Sequence, residues 1–482
     1  MASPFVATQQ TTQLEREHIQ GLVVSGYGKM HRAAYLLLAV EHAPAARDWL
    51  SEFAKRITTS VNAEDEKSLN LAFTAQGLKA FGVHESDLTT FPPSFREGMA
   101  APHRTVILGD TDASHPDNWQ WGGPQHDAIH AALLIFAKDD ETFATVEANE
   151  RAALSDDGAF RIVHALRPEP LPGRVSAGKF GVEHFGFADG MSQPVIKGSG
   201  QEDKLEPAEY ERHAIEAGEF VLGYPNGYDK ITPVPRLTTS AHGWPAGDPA
   251  EFGRNGSYLV VRQLAQDVAG FWNFIDAETK AAHGASDAKS RSWLAAKMVG
   301  RWESGAPLVK APDSDNSDLG TDNSFGYHDE DQQGARCPIA SHVRRTNPRD
   351  SSRNGDPKRA LELANLHRIV RRGRVYGPGL DDPLAGDDGQ ERGLFFMCLN
   401  ANIERQFEFI QHTWCNNQKF AGLYDEQDPM VSNPTGGGRF SIPQDPVRRR
   451  ISGIPSFVTT RGGAYFFLPG VPALRQLAAI GD

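Results

Sequence analysis

Cysteine is scarce in this chain: Cys337, Cys398 and Cys415 are the only three in 482 residues. The count is odd and no two form a C-x-x-C pair, which excludes a disulfide framework and argues against a cysteine-built zinc site. Long hydrophobic runs are missing too. None approaches the roughly 20 apolar residues of a membrane-spanning helix, and no membrane partner is expected. The opening MASPFVATQQTTQLERE has neither a basic start before an apolar stretch nor a twin-arginine pair, so the expected compartment is the cytoplasm. Basic charge is in deficit: 49 Lys and Arg against 62 Asp and Glu give −13. A nucleic-acid partner would need a strong local basic stripe to overcome that field, and the basic clusters, Arg344, Arg345 and Arg349, then Arg448 to Arg450, are short. Several catalytic signatures are also lacking. There is no phosphate-binding G-x-x-x-x-G-K-[ST], no dinucleotide G-x-G-x-x-G, no H-E-x-x-H and no G-x-S-x-G.

What is present is a soluble globular composition, 39% hydrophobic and 23% charged, on a chain long enough for two domains. The chain also echoes itself. YLLLAVEHAPAARDW (Tyr35 to Trp49) aligns without a gap to YLVVRQLAQDVAGFW (Tyr258 to Trp272), and AALLIFAKDDETF (Ala131 to Phe143) matches LFFMCLNANIERQF (Leu394 to Phe407). Each echo reads as an apolar strand followed by helical spacing. FRIVHALRP in the first half, and GEFVLGY and GGAYFFLPG in the second, are further apolar runs of strand type. The pattern predicts an α+β fold of two duplicated ferredoxin-like units, each a sheet with helices on one face. The charged stretch Gln201 to Gly218 is a connector, which places one domain at 1–215 and the second at 216–482. Glu303 to Ala335 is rich in Gly, Ser, Asn and Asp. Asp313, Asp315 and Ser317 have calcium-loop spacing, but Asp318 stands where a Gly is needed and Ser324 where a Glu is needed, so a solvated loop is expected.

Three segments carry odd features. In HFGFADGMSQP, Asp189 lies between Gly186 and Gly190, which alone reads as a turn. In CPIASHVRRTNPRDSSR, His342 lies among small residues and guanidinium groups. A neutral imidazole is a good iron ligand, and arginines nearby suit the carboxylates of a haem. HRIVRRGRVYGP places Arg371 and Arg372 ahead of a Gly turn. Taken in order, G-F-A-D-G, S-H-V-R-R-T-N-P-R, R-R-G-R-V-Y-G and R-G-L-F-F-M-C closely resemble the dye-decolorizing peroxidase family. The likeness runs from IQGLVVSGYG (Ile19 to Gly28) through GEFVLGYPN to ERQFEFIQ (Glu404 to Gln411), nearly the whole chain, and is nearest the larger bacterial and fungal-type members.

The resemblance implies two ferredoxin-like halves of the dimeric α/β-barrel type, with haem b (iron protoporphyrin IX) held mainly by the C-terminal one. It implies His342 as the axial iron ligand, Asp189 and Arg371 as the distal catalytic pair, and Leu394 and Phe396 as apolar lining of the distal face. Arg353 is the candidate partner of a haem propionate. No segment clearly matches the acid that hydrogen-bonds the proximal His; Glu404 stands in for it. The implied partners are hydrogen peroxide and small-molecule or dye-like reductants. Peroxide cleavage needs a proton moved from one oxygen to the other and charge stabilised as the bond breaks, tasks suited to a carboxylate and a fixed guanidinium. A carboxylate base predicts an acid optimum, roughly pH 4 to 6, where a distal His would be protonated. The alternatives are a haem carrier or sensor without catalysis, which needs no Asp189–Arg371 pair, and a relative that has lost haem and only scaffolds a partner.

Overall fold

A computed structural model describes residues 13–61, 66–171, 181–237, 251–352 and 355–480. In the first half, four strands form an antiparallel sheet: β1 (Arg32–Val40), β2 (Lys67–Phe73), β3 (Ala131–Ala137) and β4 (Phe160–Leu166), side by side as β4-β1-β3-β2. RAAYLLLAV and AALLIFA are apolar on both sides because both faces of these central strands are buried. Helix α1 (Ala43–Phe53) follows β1 and helix α2 (Asp140–Ser155) follows β3, the latter starting where Asp139 accepts the amide of Thr142 at 2.9 Å.

The second half repeats the plan with β5 (Ser257–Gln266), β6 (Val370–Arg371), β7 (Arg374–Tyr376), β8 (Gly393–Asn400) and β9 (Val458–Leu468). Their order is β9-β5-β8-β6, with β7 also on β8. With β6 and β7 counted as one interrupted second strand, both halves place the fourth strand beside the first, the first beside the third, and the third beside the second. Helix α3 (Val268–His283) follows β5, and a helical stretch with π-type bonding, Glu404–Glu408 and Ile410–Cys415, follows β8. The two sequence echoes fall at these matching places, β1–α1 with β5–α3 and β3–α2 with β8 and its helix. The halves join where Phe467 of β9 pairs with Phe73 of β2, giving one open nine-stranded sheet with no closed barrel among the described residues.

Two readings need correction. GEFVLGY is not a strand but a succession of tight turns. Phe220, Val221, Leu222 and Tyr224 are fully buried, and their backbone is satisfied by local bonds such as Val221 N–H to the Ala217 carbonyl (2.8 Å) and by Leu222 N–H to the Gly256 carbonyl (2.8 Å). Gly218 lies so close to Tyr224 and Pro225 that a Cβ would clash with their backbone. A short buried apolar run does not reveal its conformation by periodicity. The loop at 303–335 is not simply solvated either: Leu308, Val309, Phe325 and Tyr327 form a small core of their own with Trp302 and Cys337.

The halves differ in how helices meet the sheet, and that difference positions the site. In the first half Trp49, Leu50 and Phe53 of α1 share one core with Leu36 and Leu71 of the sheet. In the second, Val268, Phe271 and Ile275 of α3 belong to a separate core with Phe185, Phe187, Leu294, Met298 and Phe457. On β8 itself Leu394 and Phe396 are only half-buried, Phe396 packing against the first of these cores.

Candidate active site

Asp189 and Arg371, far apart in sequence, meet on this sheet face. Register pairs Arg371 with Cys398, and Leu394, Phe396 and Cys398 alternate along β8, so all four occupy one face of the sheet. Asp189 ends a tight reversal in which Val182 and Ala188 pair and the Asp189 amide donates to the Gly181 carbonyl (3.0 Å). Gly186 (φ 101°) and Gly190 (φ 94°) make the turns possible. Glu183 braces the reversal: its carboxylate accepts the amides of Phe185 and Phe187, each at 2.9 Å, and the side chain of Gln266 at 2.6 Å. Burial outweighs these donors and pushes the Glu183 carboxyl up to about 7.

The Arg371 guanidinium donates to the Met191 carbonyl at 2.9 Å and reaches Asp189 Oδ1 at 3.4 Å, while its amide donates to Gln193 at 2.9 Å. The GMSQP segment thus fixes the arginine at both ends. Both partners stay accessible, at 33% and 40% side-chain exposure. Neighbouring Arg372 and Arg374 turn away, donating to the carbonyls of Leu22 and Val23 and of Met30.

His342 opens a five-residue helix, α5 (His342–Thr346). Ser341 ties that helix to the Lys297 carbonyl (2.6 Å) at the end of α4 (Ala288–Val299). Arg344 donates to Asp331 and the Cys337 carbonyl, and Arg345 to the carbonyls of Trp414, Asn417 and Glu426. These two guanidinium groups therefore hold the helix in place and do not face a ligand. The His342 ring donates from Nδ1 to Asp428 Oδ2 at 2.9 Å. Asp428 is buried, and its second oxygen accepts the amides of Met430 (2.9 Å) and Val431 (3.2 Å). Burial opposes charge on both groups, but each stabilises the other: Asp428 lies below the usual carboxylate range and His342 above the usual imidazole value. The charges of Arg371 and Asp189 also act on His342, in opposite senses.

Glu404 does not serve as the proximal acid. It accepts the Ser94 amide (3.2 Å) and reaches Arg104 (3.4 Å), on a different part of the helix layer. Sequence reasoning missed Asp428, which sits 86 positions from His342 in a short acidic loop. Arg353 lies outside the described residues. Instead, Arg301, Arg349 and Arg368 are buried and converge on Ser192, with Arg301 and Arg349 also reaching Asn323. Among the described residues no carboxylate pairs with any of the three. Burial, with Arg349 and Arg371 alongside, lowers Arg368 to about 9; burial and the charges of Arg368 and Arg349 hold the neighbouring His213 down to about 3. Among the described residues Arg349 Nε and His213 Nδ1 have no partner, though both are buried. Arg349 and Arg368 line a narrow cleft with Arg212, His213, Asn347 and Asp350. Uncompensated buried guanidinium groups fit a ligand that brings its own carboxylates. With an imidazole whose Nε2 is left for a metal, and half-buried apolar residues between sheet and helices, the set fits an iron tetrapyrrole.

No family model matches the chain. Among curated proteins, the chain is 31% identical over 457 residues to the multifunctional dye peroxidase DyP2 of an Amycolatopsis species, covering 90% of this chain and 86% of that one. It is 29% identical to a dye-decolorizing peroxidase of Exidia glandulosa, covering 99% and 90%. Among solved structures it superposes with a TM-score of 0.76, at 27% identity, on a dye-decolorizing peroxidase in complex with 2,6-dimethoxyphenol, covering 97% of this chain and all of that one.

Proposed function

The chain belongs to the dye-decolorizing peroxidase family, and from that premise we propose that it binds haem b between His342 and the Asp189–Arg371 pair. It is a peroxidase, reducing hydrogen peroxide with electrons from organic donors. The haem of this family, when bound, supplies the iron and the electrons for peroxide cleavage. The observations that carry the site assignment are the carboxylate–guanidinium pair presented, part-exposed, on the sheet face, and the histidine backed by a buried aspartate.

His342 offers Nε2 to the iron because its Nδ1–H is committed to Asp428, which fixes the tautomer and makes the imidazole a stronger donor. Asp189 takes the proton from one oxygen of hydrogen peroxide and returns it to the other. Arg371 stabilises the negative charge that develops as the O–O bond breaks, and its bond to the Met191 carbonyl means that little reorganisation is needed. Arg349 and Arg368, with Arg301 behind them, meet the propionates, the role the sequence reading gave to Arg353. Leu394 and Phe396 line the pocket. A carrier or scaffold requires no proton shuttle beside a fixed cation, so the pair favours catalysis.

The donors on this reading are phenols and dyes, a reading supported by the similar structure solved in complex with 2,6-dimethoxyphenol. The repeated strand order supports a division at 1–215 and 216–482, with haem held mainly by the second unit. A cytoplasmic location is supported by three buried, unpaired cysteines; among the described residues no helix is long and apolar enough to cross a membrane. The test is His342→Ala: it should lose most haem or bind it with an altered Soret band, and an unchanged band with full activity would contradict the assignment.

A further inference from the structure

The helix-covered face of the sheet contains a tyrosine arranged to release a proton and an electron together. Tyr465, on β9, is 2% exposed, and its hydroxyl donates to Glu408 Oε1 at 2.8 Å. The second oxygen of Glu408 accepts from Arg104 at 2.6 Å, and Arg104 is shared with Glu97 at 2.9 Å and Glu404 at 3.4 Å. Three carboxylates around one guanidinium leave the surroundings negative, which favours loss of an electron nearby. An oxidised phenol is strongly acidic, and here its proton can move along an existing hydrogen bond, so no positive charge is stranded in the apolar core.

The ring is also linked to the active site. Tyr465 packs edge-on against Phe407 (6.2 Å between centroids), and Phe407 packs against Phe396 (6.0 Å), which lines the pocket. The other buried tyrosines lack this combination. The hydroxyls of Tyr35, Tyr258 and Tyr327 have no partner in the described structure, and those of Tyr27 and Tyr224 bond to the amides of Asn70 and Asn255, which cannot take a proton. Tyr376 does reach a carboxylate, Glu391 at 3.1 Å, but belongs to the core on the opposite face of the sheet.

We propose that Tyr465 is an internal oxidation site that holds an oxidising equivalent when peroxide has reacted and no donor has arrived. Tyr465 gives one electron to the peroxide-oxidised cofactor and its hydroxyl proton to Glu408, leaving a neutral phenoxyl radical and a protonated carboxyl. An electron from an organic donor, with the proton returned by Glu408, restores the phenol. The inference rests on the peroxidase reading, whose activity supplies the oxidant.

The experiment is freeze-quench electron paramagnetic resonance of the haem-loaded protein mixed with hydrogen peroxide and no donor, with Soret spectra taken on the same samples. Wild type and Tyr376→Phe should give a tyrosyl signal that narrows when the protein carries ring-deuterated tyrosine. Tyr465→Phe should lose it. Glu408→Gln should lose it as well, because an amide accepts the phenol's hydrogen bond but not its proton. No tyrosyl signal in wild type, or an undiminished one in Tyr465→Phe or Glu408→Gln, overturns the proposal. A Soret band that responds to peroxide shows that only this inference has failed; one indifferent to peroxide shows that the peroxidase reading itself has failed.

Discussion

Replacing Asp428 by Asn changes one atom and should reverse the tautomer of His342. Asp428 Oδ1 accepts two backbone amides, Met430 at 2.9 Å and Val431 at 3.2 Å, while Oδ2 accepts the histidine Nδ1–H. In the variant the amide oxygen stays with the two backbone donors, because turning the NH2 toward them would leave both unpaired at about 1–3 kcal/mol each. The NH2 then faces His342 Nδ1, which must become an acceptor, and the ring proton moves to Nε2, the atom meant for iron. Loss of such a supporting partner typically lowers metal affinity about 10–100-fold, about 1.4–2.8 kcal/mol. The assay is titration of the haem-free variant with haemin, followed at the Soret band, with a thermal melt to establish folding. Wild-type affinity and an unshifted Soret band in a folded Asp428→Asn protein would refute the tautomer argument.

Glu183 sets a pH signature on stability. Its folded carboxyl titrates at about 7, above an ordinary value near 4.3, so its contribution is fully present below the ordinary value and is lost as pH rises through 7. The melting temperature of wild type should therefore fall between about pH 5 and 7 more steeply than that of Glu183→Gln, whatever the variant's own starting point; parallel curves would show that the folded carboxyl does not titrate near 7. Bulky dyes should be oxidised through surface aromatic radicals, because Leu394 and Phe396 narrow the pocket. Trp414, half-buried and edge-on to His367 and Phe409 at 5.3 and 5.4 Å, is a candidate, so Trp414→Phe should slow dye turnover more than turnover of a small phenol. A dye complex lying directly on the iron would contradict this route.

The residues of the proposed site that the sequence suggested are those that sit in local phrases. Asp189 between two glycines, His342 in SHVRRTNPR and Arg371 in RRGRVYG are each identifiable because the backbone around them has a local requirement. The echoes were legible for a related reason: a strand and its following helix are continuous, so two copies align without gaps. Asp428 and the Arg301–Arg349–Arg368 group were not legible, since each becomes a partner only through long-range folding. Arg349 lies inside a recognised phrase, but nothing local distinguishes its buried guanidinium from those of Arg344 and Arg345, which are spent on backbone carbonyls and Asp331. GEFVLGY misled because complete burial erases the alternation that separates a strand from a packed turn.

The division of labour between Asp189 and Arg371 is tested most directly by stopped-flow mixing of the haem-loaded variants with hydrogen peroxide, following the Soret change against peroxide concentration. Asp189→Asn keeps shape and removes the base, which should slow the reaction about 10²–10⁴-fold. Arg371→Leu removes the charge held at 3.4 Å from that base, which should cost about 10²–10³-fold and be at least as damaging as the aspartate change, because water can replace a carboxylate but not a fixed cation. Both variants should bind haem normally, since neither residue touches His342 or Asp428. If both react with peroxide at the wild-type rate, the proposed distal pair is wrong.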